Sequence, residues 1–418
     1  MPPWSRFSFL FPPPVPEKGA RLGLNVHWGP LHFPWLLEYR DISASTFQEV
    51  QVRGPFKSYT HSHRVIARSE ESCRLEEEID CQLHCPWLHS WLDEEFRRLC
   101  RWRHAVLRED LSLFSRYAPG KRRILLSGAH GFIGSQLKIL LQTAGHCVVN
   151  LQRGSGEKRE DAIFWQPDRG FLCKEDFEDF DAVIHLAGEN IASGFWTRQR
   201  KEKIFLSRAR DTWLLSQVLC RLYRPPQTVI SASAIGFYGN RGQESLTEES
   251  GRGIGFLPDL CTKWERATEA IEQRGSRVVH PRFGMVLSRR GGALVPLLRA
   301  YQLGLGGRWG SGKQILSWIG IDDAMGALYH LLMDETLSGG VNLVSPKPLP
   351  QMEFAKTLAK KLHRPTLLPL SRGFLRFFFR GLADEVFLAS AHAVPAKLLH
   401  SGYRFRYPDL DTALDFVI

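Results

Sequence analysis

Three glycines carry the most specific chemistry in this sequence. Gly128, Gly131 and Gly134 recur at every third residue in SGAHGFIG. They follow the apolar run Ile124 to Leu126 and precede a stretch with Ile133, Leu137, Leu140 and Leu141 on one helical face. Gly145 closes that stretch and Cys147-Val148-Val149 begins a second apolar run. Strand, turn, helix and strand at this length form one βαβ unit, and the chemistry is phosphate recognition. The first glycine makes the tight turn, the second lets backbone approach a pyrophosphate, and the third lets helix pack on strand. The helix N-terminus then faces the phosphates with free N–H groups. His130, Phe132 and Ile133, in and just after the turn, join the glycines as cofactor-binding candidates. The second strand ends Asn150-Leu151-Gln152-Arg153, without the acid that holds a ribose 2′-hydroxyl in NAD sites. Arg153 suits a 2′-phosphate by charge and fork geometry, which points to NADP(H). The plainer reading of Arg153 is a surface residue.

Further runs must position such a site. Asp181 to Gly188 reads as a buried strand whose end, Leu186-Ala187-Gly188, is small enough for a cofactor to lie on the backbone. Thr228 to Ser233 reads as another, leading into Ala234 to Gly239. Strands alternating with helices from 122 to 290 predict an α/β fold, a doubly wound parallel Rossmann sheet. Residues 291–418 are more irregular and read as a small substrate-side and C-terminal domain. Within them the glycine-dense loop Gly304 to Gln314 offers Arg308, Lys313 and Gln314 to an anionic or polar ligand, or is simply a flexible surface loop.

The chain has 418 residues and a formal net charge of +11. At 43% apolar and 24% charged residues it is globular in composition, neither disordered nor collagen-like. No run is apolar enough to span a membrane, and the N-terminus makes a poor signal peptide. Eight scattered cysteines suggest a reducing, cytoplasmic setting. Residues 1–120 hold 15 basic and 15 acidic side chains, so the whole excess lies beyond them. Its densest run is Arg198, Arg200, Lys201, Lys203, Arg208 and Arg210, on a helical stretch with Ile204, Leu214, Leu215 and Val218 along an apolar stripe. A solvated helix face is the bland reading and attraction of a phosphorylated ligand the functional one. Nucleic acid ranks third, because no aromatic platform accompanies the run. Phe374 to Arg380 reads as a packed C-terminal helix rather than a membrane contact.

The collinear motifs SGAHGFIG, HLAGENI, SASAIGFYG, LCTKWERA, RFGMVLSRRGGAL, GLGGRWGSGKQILSWIGIDDA and VPAKLLHSGYRFRYPDLDTAL resemble the extended short-chain dehydrogenase/reductases. The match is closer to the divergent branch of "epimerase family" proteins with a DUF1731-type tail, and runs from 123 to 418. The resemblance implies an NADP-binding Rossmann domain and a hydride-transfer chemistry needing a proton donor beside a carbonyl. In that pattern the polarising serine maps to Ser233, with Ser231 an alternative, and the lysine maps to Lys263. The tyrosine position four residues earlier is Asp259, so the usual Tyr-x-x-x-Lys is absent. Tyr238 is then the remaining donor candidate, or else a pocket-packing residue. Lys263 is assigned to the nicotinamide ribose, and Glu265 to an ion-pair partner. Arg282 is placed toward the substrate cleft, or away from it, with equal weight. Trp318-Ile319-Gly320-Ile321-Asp322-Asp323 resembles the family's Trp-Ile-His-Ile-Asp-Asp, with Gly320 in place of histidine. Asp322 or Asp323 is expected to cap the next helix.

Residues 1–118 resemble, more weakly, the α+β helix-grip fold of the START and polyketide-cyclase superfamily. The markers are FQEVQVRGPFKSYTHSHRV and the long helix ending RWRHAVLREDL, before a linker at Ala118-Pro119-Gly120. Such a fold grips an apolar ligand between sheet and helix. MPPW resembles an internal segment of longer relatives, so the domain reads as truncated, with an exposed sheet edge. His61, His63, Cys81, His84, Cys85, His89 and His104 fall here. Cys81-x-x-x-Cys85 lacks a second matched pair, so these residues read as core or surface groups and no metal is expected. Two functions compete: an NADP(H)-dependent oxidoreductase or nucleotide-sugar epimerase-like enzyme on a small substrate, and a non-catalytic NADPH-binding sensor or partner-binding protein. The missing tyrosine favours the second, Ser233 and Lys263 the first. The oligomeric state stays open.

Overall fold

The computed structural model describes residues 7–11, 16–28, 31–69, 72–84, 89–118, 120–154, 159–167, 174–366 and 368–418. The expectations placed on MPPW, Cys85 and Pro119 lie outside them. The chain divides into two compact units, Met1–Glu109 and Asp110–Ile418. The division falls inside helix α1 (His89–Phe114), before the expected linker. No described helix is long and apolar enough to cross a membrane.

The first unit is a six-stranded antiparallel sheet in chain order: β1 (Phe7–Phe9), β2 (Arg21–Trp28), β3 (Leu31–Arg40), β4 (Thr46–Arg53), β5 (Ser58–Ser69) and β6 (Ser72–Gln82). Side chains alternate between the faces of a strand. Leu22, Leu24, Trp35, Leu37, Tyr39 and Tyr59 therefore gather on one face and bury it. Phe96 of α1 packs there, with its ring centroid 6.0 Å from both Phe56 and Tyr59.

The second unit is built on parallel strands: β7 (Arg123–Ser127), β8 (Cys147–Arg153), β9 (Ala162–Trp165), β10 (Ala182–His185), β11 (Thr228–Ser231) and β12 (Ser233–Ala234), with strands Arg277–Phe283 and Gly339–Leu343. Across the sheet the order is β9, β8, β7, β10, β11, then 277–283 and 339–343, while β12 also pairs with 277–283. Ile124, Leu125 and Leu126 have no exposed surface, as a strand covered on both faces requires. One face carries helix α2 (Phe132–Thr143) and helix Ile321–Met333, and the other packs on Leu215, Leu219 and Ile271. The strand order reverses between β7 and β10. The crevice beyond their carboxyl ends is where such sheets bind ligands.

A separate apolar core gathers around Trp318, Phe354, Leu358 and Leu414 toward the C-terminus. It is stitched to the sheet rather than appended. Ser245–Leu246 pairs in parallel with His392–Ala393. The Asn342 amide donates to Val394 O at 2.9 Å, and Glu248 Oε1 accepts from Asn342 N (3.0 Å) and Lys397 N (3.3 Å). Neither Asp322 nor Asp323 caps helix 321–333, whose N-cap is Gly320 without a side-chain bond. The buried Asp323 instead accepts Arg406 N at 2.6 Å and Tyr407 N at 3.0 Å. It anchors the C-terminal stretch because two backbone donors reach it there.

Candidate functional site

At the crevice the glycine turn is tight and closely packed. Gly128 has φ 74°, and a Cβ on it would stand 2.9 Å from Ala187 N and from Leu186 C. The backbone of Leu186-Ala187, just past β10, thus lies against the turn. A Cβ on Gly134 would come 2.2 Å from Gly128 O, so only glycine lets α2 start this close to β7. The N-cap of α2 is Gly131, with no side chain capping the first turn. Its orphan N–H groups and dipole are left for an anion. His130 and Gly131 are exposed at the mouth, and the half-buried Phe132 packs where a Cβ on Gly291 would come 2.6 Å from its ring. These residues fit a dinucleotide pyrophosphate.

Arg153 ends β8 half-exposed, its guanidinium held by the buried Asp211. Arg210 shares that carboxylate at 2.8 Å. The acid missing from the strand end therefore arrives from 58 residues away, and it orients the arginine. Beneath, His185 Nδ1 lies 2.6 Å from Ser127 Oγ. Burial, then the charge of Arg153, push its pKa down to about 4, so the ring is neutral. The basic run is not one solvated face. The helix is broken by a π-turn, Leu206–Arg210, that tucks Arg208 into the interior. There its guanidinium sits 5.1 Å from the Trp264 ring centroid, and a Cβ on Gly188 would come 3.3 Å from its Cζ. Burial lowers its pKa to about 10, and its Nε has no hydrogen-bond partner.

Past β11, Ser233 Oγ donates to Glu265 Oε1 at 2.7 Å. Arg282 grips the same carboxylate through Nε (2.8 Å) and Nη2 (2.9 Å). Its Nη1 donates to the Tyr238 hydroxyl at 3.0 Å, and its plane lies 3.6 Å from the Phe237 ring centroid. The Tyr238 hydroxyl has acceptors in Asn342 Oδ1 (2.8 Å) and Thr247 O (3.0 Å). Burial raises the Glu265 pKa, but the Arg282 bonds outweigh it and hold the carboxyl below its usual range. Burial also raises that of Tyr238.

The structure thus brings Ser233, Tyr238 and Arg282 together and leaves Lys263 apart. Lys263 is exposed, its Nζ 5.2 Å from the Phe205 ring centroid. Tyr238 has no exposed surface, so its phenol is packed within the network. Arg282 is turned to Glu265 rather than to an open cleft, because that carboxylate would otherwise be buried unpaired. Gln314 is likewise spent internally, donating to the carbonyls of Trp309 (3.1 Å) and Phe387 (3.0 Å). Arg308 and Lys313 are exposed. Their loop is packed, since a Cβ on Gly307 would come 1.8 Å from Leu368 O. In the helix Arg372–Phe379, Leu375 is buried while Phe374, Phe377 and Phe378 are exposed, so the expected packing is only partial.

Residues 124–342 match the NAD dependent epimerase/dehydratase family, and 372–417 match the domain of unknown function DUF1731. An epimerase family protein of Mycobacterium bovis is 36% identical over 293 residues, 70% of this chain and 96% of that protein. The chain belongs to the NAD dependent epimerase/dehydratase family. Human epimerase family protein SDR39U1 is 33% identical over 303 residues, 71% of this chain and 99% of its own. A Corynebacterium glutamicum structure described as a nucleoside-diphosphate sugar epimerase superposes with a TM-score of 0.79 at 30% identity, over 100% of this chain and 83% of that one. Human SDR39U1 (isoform 2), solved with NADPH, gives 0.62 at 30% identity, over 71% and 98%.

In this epimerase-family chain the sequence reading missed Asp211 and the burial of Arg208. Arg208 had a signal, because it stands four residues after Ile204 on the same apolar stripe. Gly320 is also informative. A Cβ there would meet nothing within 4 Å, so the place of the family's histidine is open space.

Proposed function

We propose that the second unit is an NADP(H)-dependent oxidoreductase or nucleotide-sugar epimerase-like enzyme for a small polar substrate. The observation that carries this reading is the glycine turn against Leu186-Ala187 with the uncapped α2, at the reversal of strand order. The NADPH found with human SDR39U1 supports it. When bound, the dinucleotide supplies or accepts the hydride. Gly128, His130, Gly131, Phe132, Ile133 and Gly134 would hold its pyrophosphate, Leu186, Ala187 and Gly188 its nicotinamide side, and Arg153 a 2′-phosphate. Lys263 would serve the ribose after leaving Phe205. Ser233 is the hydroxyl assigned to the substrate carbonyl, to which it would turn its proton from Glu265, itself held by Arg282. Arg308 and Lys313 face solvent on the substrate side.

The test is equilibrium binding of NADPH and NADH to the wild-type chain and to Arg153→Glu. Removing a charge-assisted contact worth roughly 1.5–3 kcal/mol should reduce the preference for NADPH about 10- to 100-fold. An unchanged ratio removes the NADP(H) assignment. The enclosed Tyr238 and the exposed Lys263 beside Phe205 favour the second reading, a chain that binds NADPH without turnover. Turnover with a panel of carbonyl compounds and nucleotide sugars, abolished in Ser233→Ala, decides between the two.

A further inference from the structure

In the first unit the register of three strands assembles a cluster that the sequence reading had set aside. His61 and His63 are two residues apart on β5 and so share a face. Glu49 of β4 pairs with His61, and Glu77 of β6 pairs with His63. His61 and His63 are 3% and 4% exposed, and their rings stand 3.9 Å apart between centroids. Glu49 Oε2 is 3.6 Å from His61 Nδ1 and 4.0 Å from His63 Nε2. Glu77 Oε1 is 3.0 Å from His63 Nδ1 and from Arg103 Nη2, and its Oε2 is 2.8 Å from His104 Nε2.

Two properties distinguish this cluster from a packed ion-pair network. The Nε2 atoms of His61 and His63 are buried without a hydrogen-bond partner, although buried polar atoms nearly always have one. One donor atom each from Glu49, His61 and His63 lies within 4.8 Å of the others, a span that an ion bound at roughly 2.0–2.2 Å closes by small side-chain rotations. Glu77 beside His63 Nδ1 is placed to fix the tautomer that leaves Nε2 free, as an outer carboxylate does for a ligating histidine. Among the described residues Arg103 and His104 answer Glu77, whereas no lysine or arginine pairs with Glu49, whose charge is left for a cation. A groove of ≈ 580 Å³ runs along these strands, lined chiefly by Gln48, Ser62, Arg64, Glu76 and Glu78, whose side chains alternate to the opposite face.

We propose that Glu49, His61 and His63 bind one divalent transition-metal ion of the Zn²⁺ class. Two imidazoles and one carboxylate select such ions over Ca²⁺ or Mg²⁺, which prefer all-oxygen shells. Three protein ligands leave a coordination position for water or another oxygen ligand.

The test uses the full chain, stripped with chelator and titrated calorimetrically with Zn²⁺ alone. The expected result is one equivalent bound, retained through desalting. His63→Gln and Glu49→Gln should lose about 100-fold or more, and Glu77→Gln about 10- to 100-fold. His27→Ala/His32→Ala removes a rival imidazole pair, whose Nδ1 atoms are 2.7 Å apart, and should leave binding unchanged. X-ray absorption of the zinc-loaded wild-type chain needs no variant to fold, and should show two imidazoles and oxygen. A sulfur shell, no stoichiometric zinc in the wild type, or equal affinity in His63→Gln overturns the proposal.

Discussion

Two buried ionic clusters, one in each unit, are built from similar side chains and behave as opposites. Around Glu265 every strong group is answered: Ser233 and Arg282 take the carboxylate, and Tyr238 and Asn342 continue the chain of bonds. Around His61 and His63 both Nε2 atoms are buried without hydrogen bonds, and Arg103 answers Glu77 but not Glu49. A closed network holds other residues in place, whereas an open one has capacity for a guest. Burial is common to both. What separates them is whether donors and acceptors balance.

The comparison breaks most visibly at Arg282. Arg282→Met would strand Glu265 in the interior, at a cost of about 3–5 kcal/mol by chemical denaturation. The double variant Arg282→Met/Glu265→Met should recover most of that loss. A single-variant cost near zero would mean that the network is wet and not closed. A smaller effect is expected from His185, a buried histidine kept neutral as a strut, unlike the candidate ligands His61 and His63. Its folded pKa of about 4 lies below the roughly 6.5 of an unfolded histidine, so the unfolded chain binds the extra proton between those values. Its contribution to stability is intact above pH 6.5 and is lost as the pH falls toward 4. Urea midpoints at pH 7 and pH 4.5 should therefore separate less in His185→Asn than in the wild type. The smallest effect belongs to Gly320. Its φ of −66° suits any residue and its surroundings are empty, so Gly320→Ala should change stability by no more than about 0.5 kcal/mol. A change in substrate KM in the same variant would place substrate in that space.

The glycine turn was legible because its chemistry is local. Gly128, Gly131 and Gly134 specify it within seven residues, and the flanking apolar runs supply both strands and the helix. Ser233 was reached differently, through the match of its strand block to a family pattern that left Ser231 as an alternative. The partners of these groups were not legible. Asp211 reaches Arg153 across 58 residues and Asn342 reaches Tyr238 across 104, contacts set by strand order that no periodicity encodes. In the first unit the alternation of His61 and His63 was visible, but Glu49 and Glu77 join them only once the register of β4, β5 and β6 is known. Lys263 shows the converse. Its position matched a family pattern, yet its helix presents Glu265 to the interior and the lysine to Phe205.

The bonds between Asn342 and Val394, between Glu248 and Lys397, and between Asp323 and Arg406 bear on modularity. Residues 124–342 and 372–417 match different families, but these bonds cross from one stretch to the other in both backbone and side chain. Excising the tail would leave the Asp323 carboxylate and the Asn342 amide buried without their partners. The two stretches would therefore have to be inherited, transplanted or redesigned together.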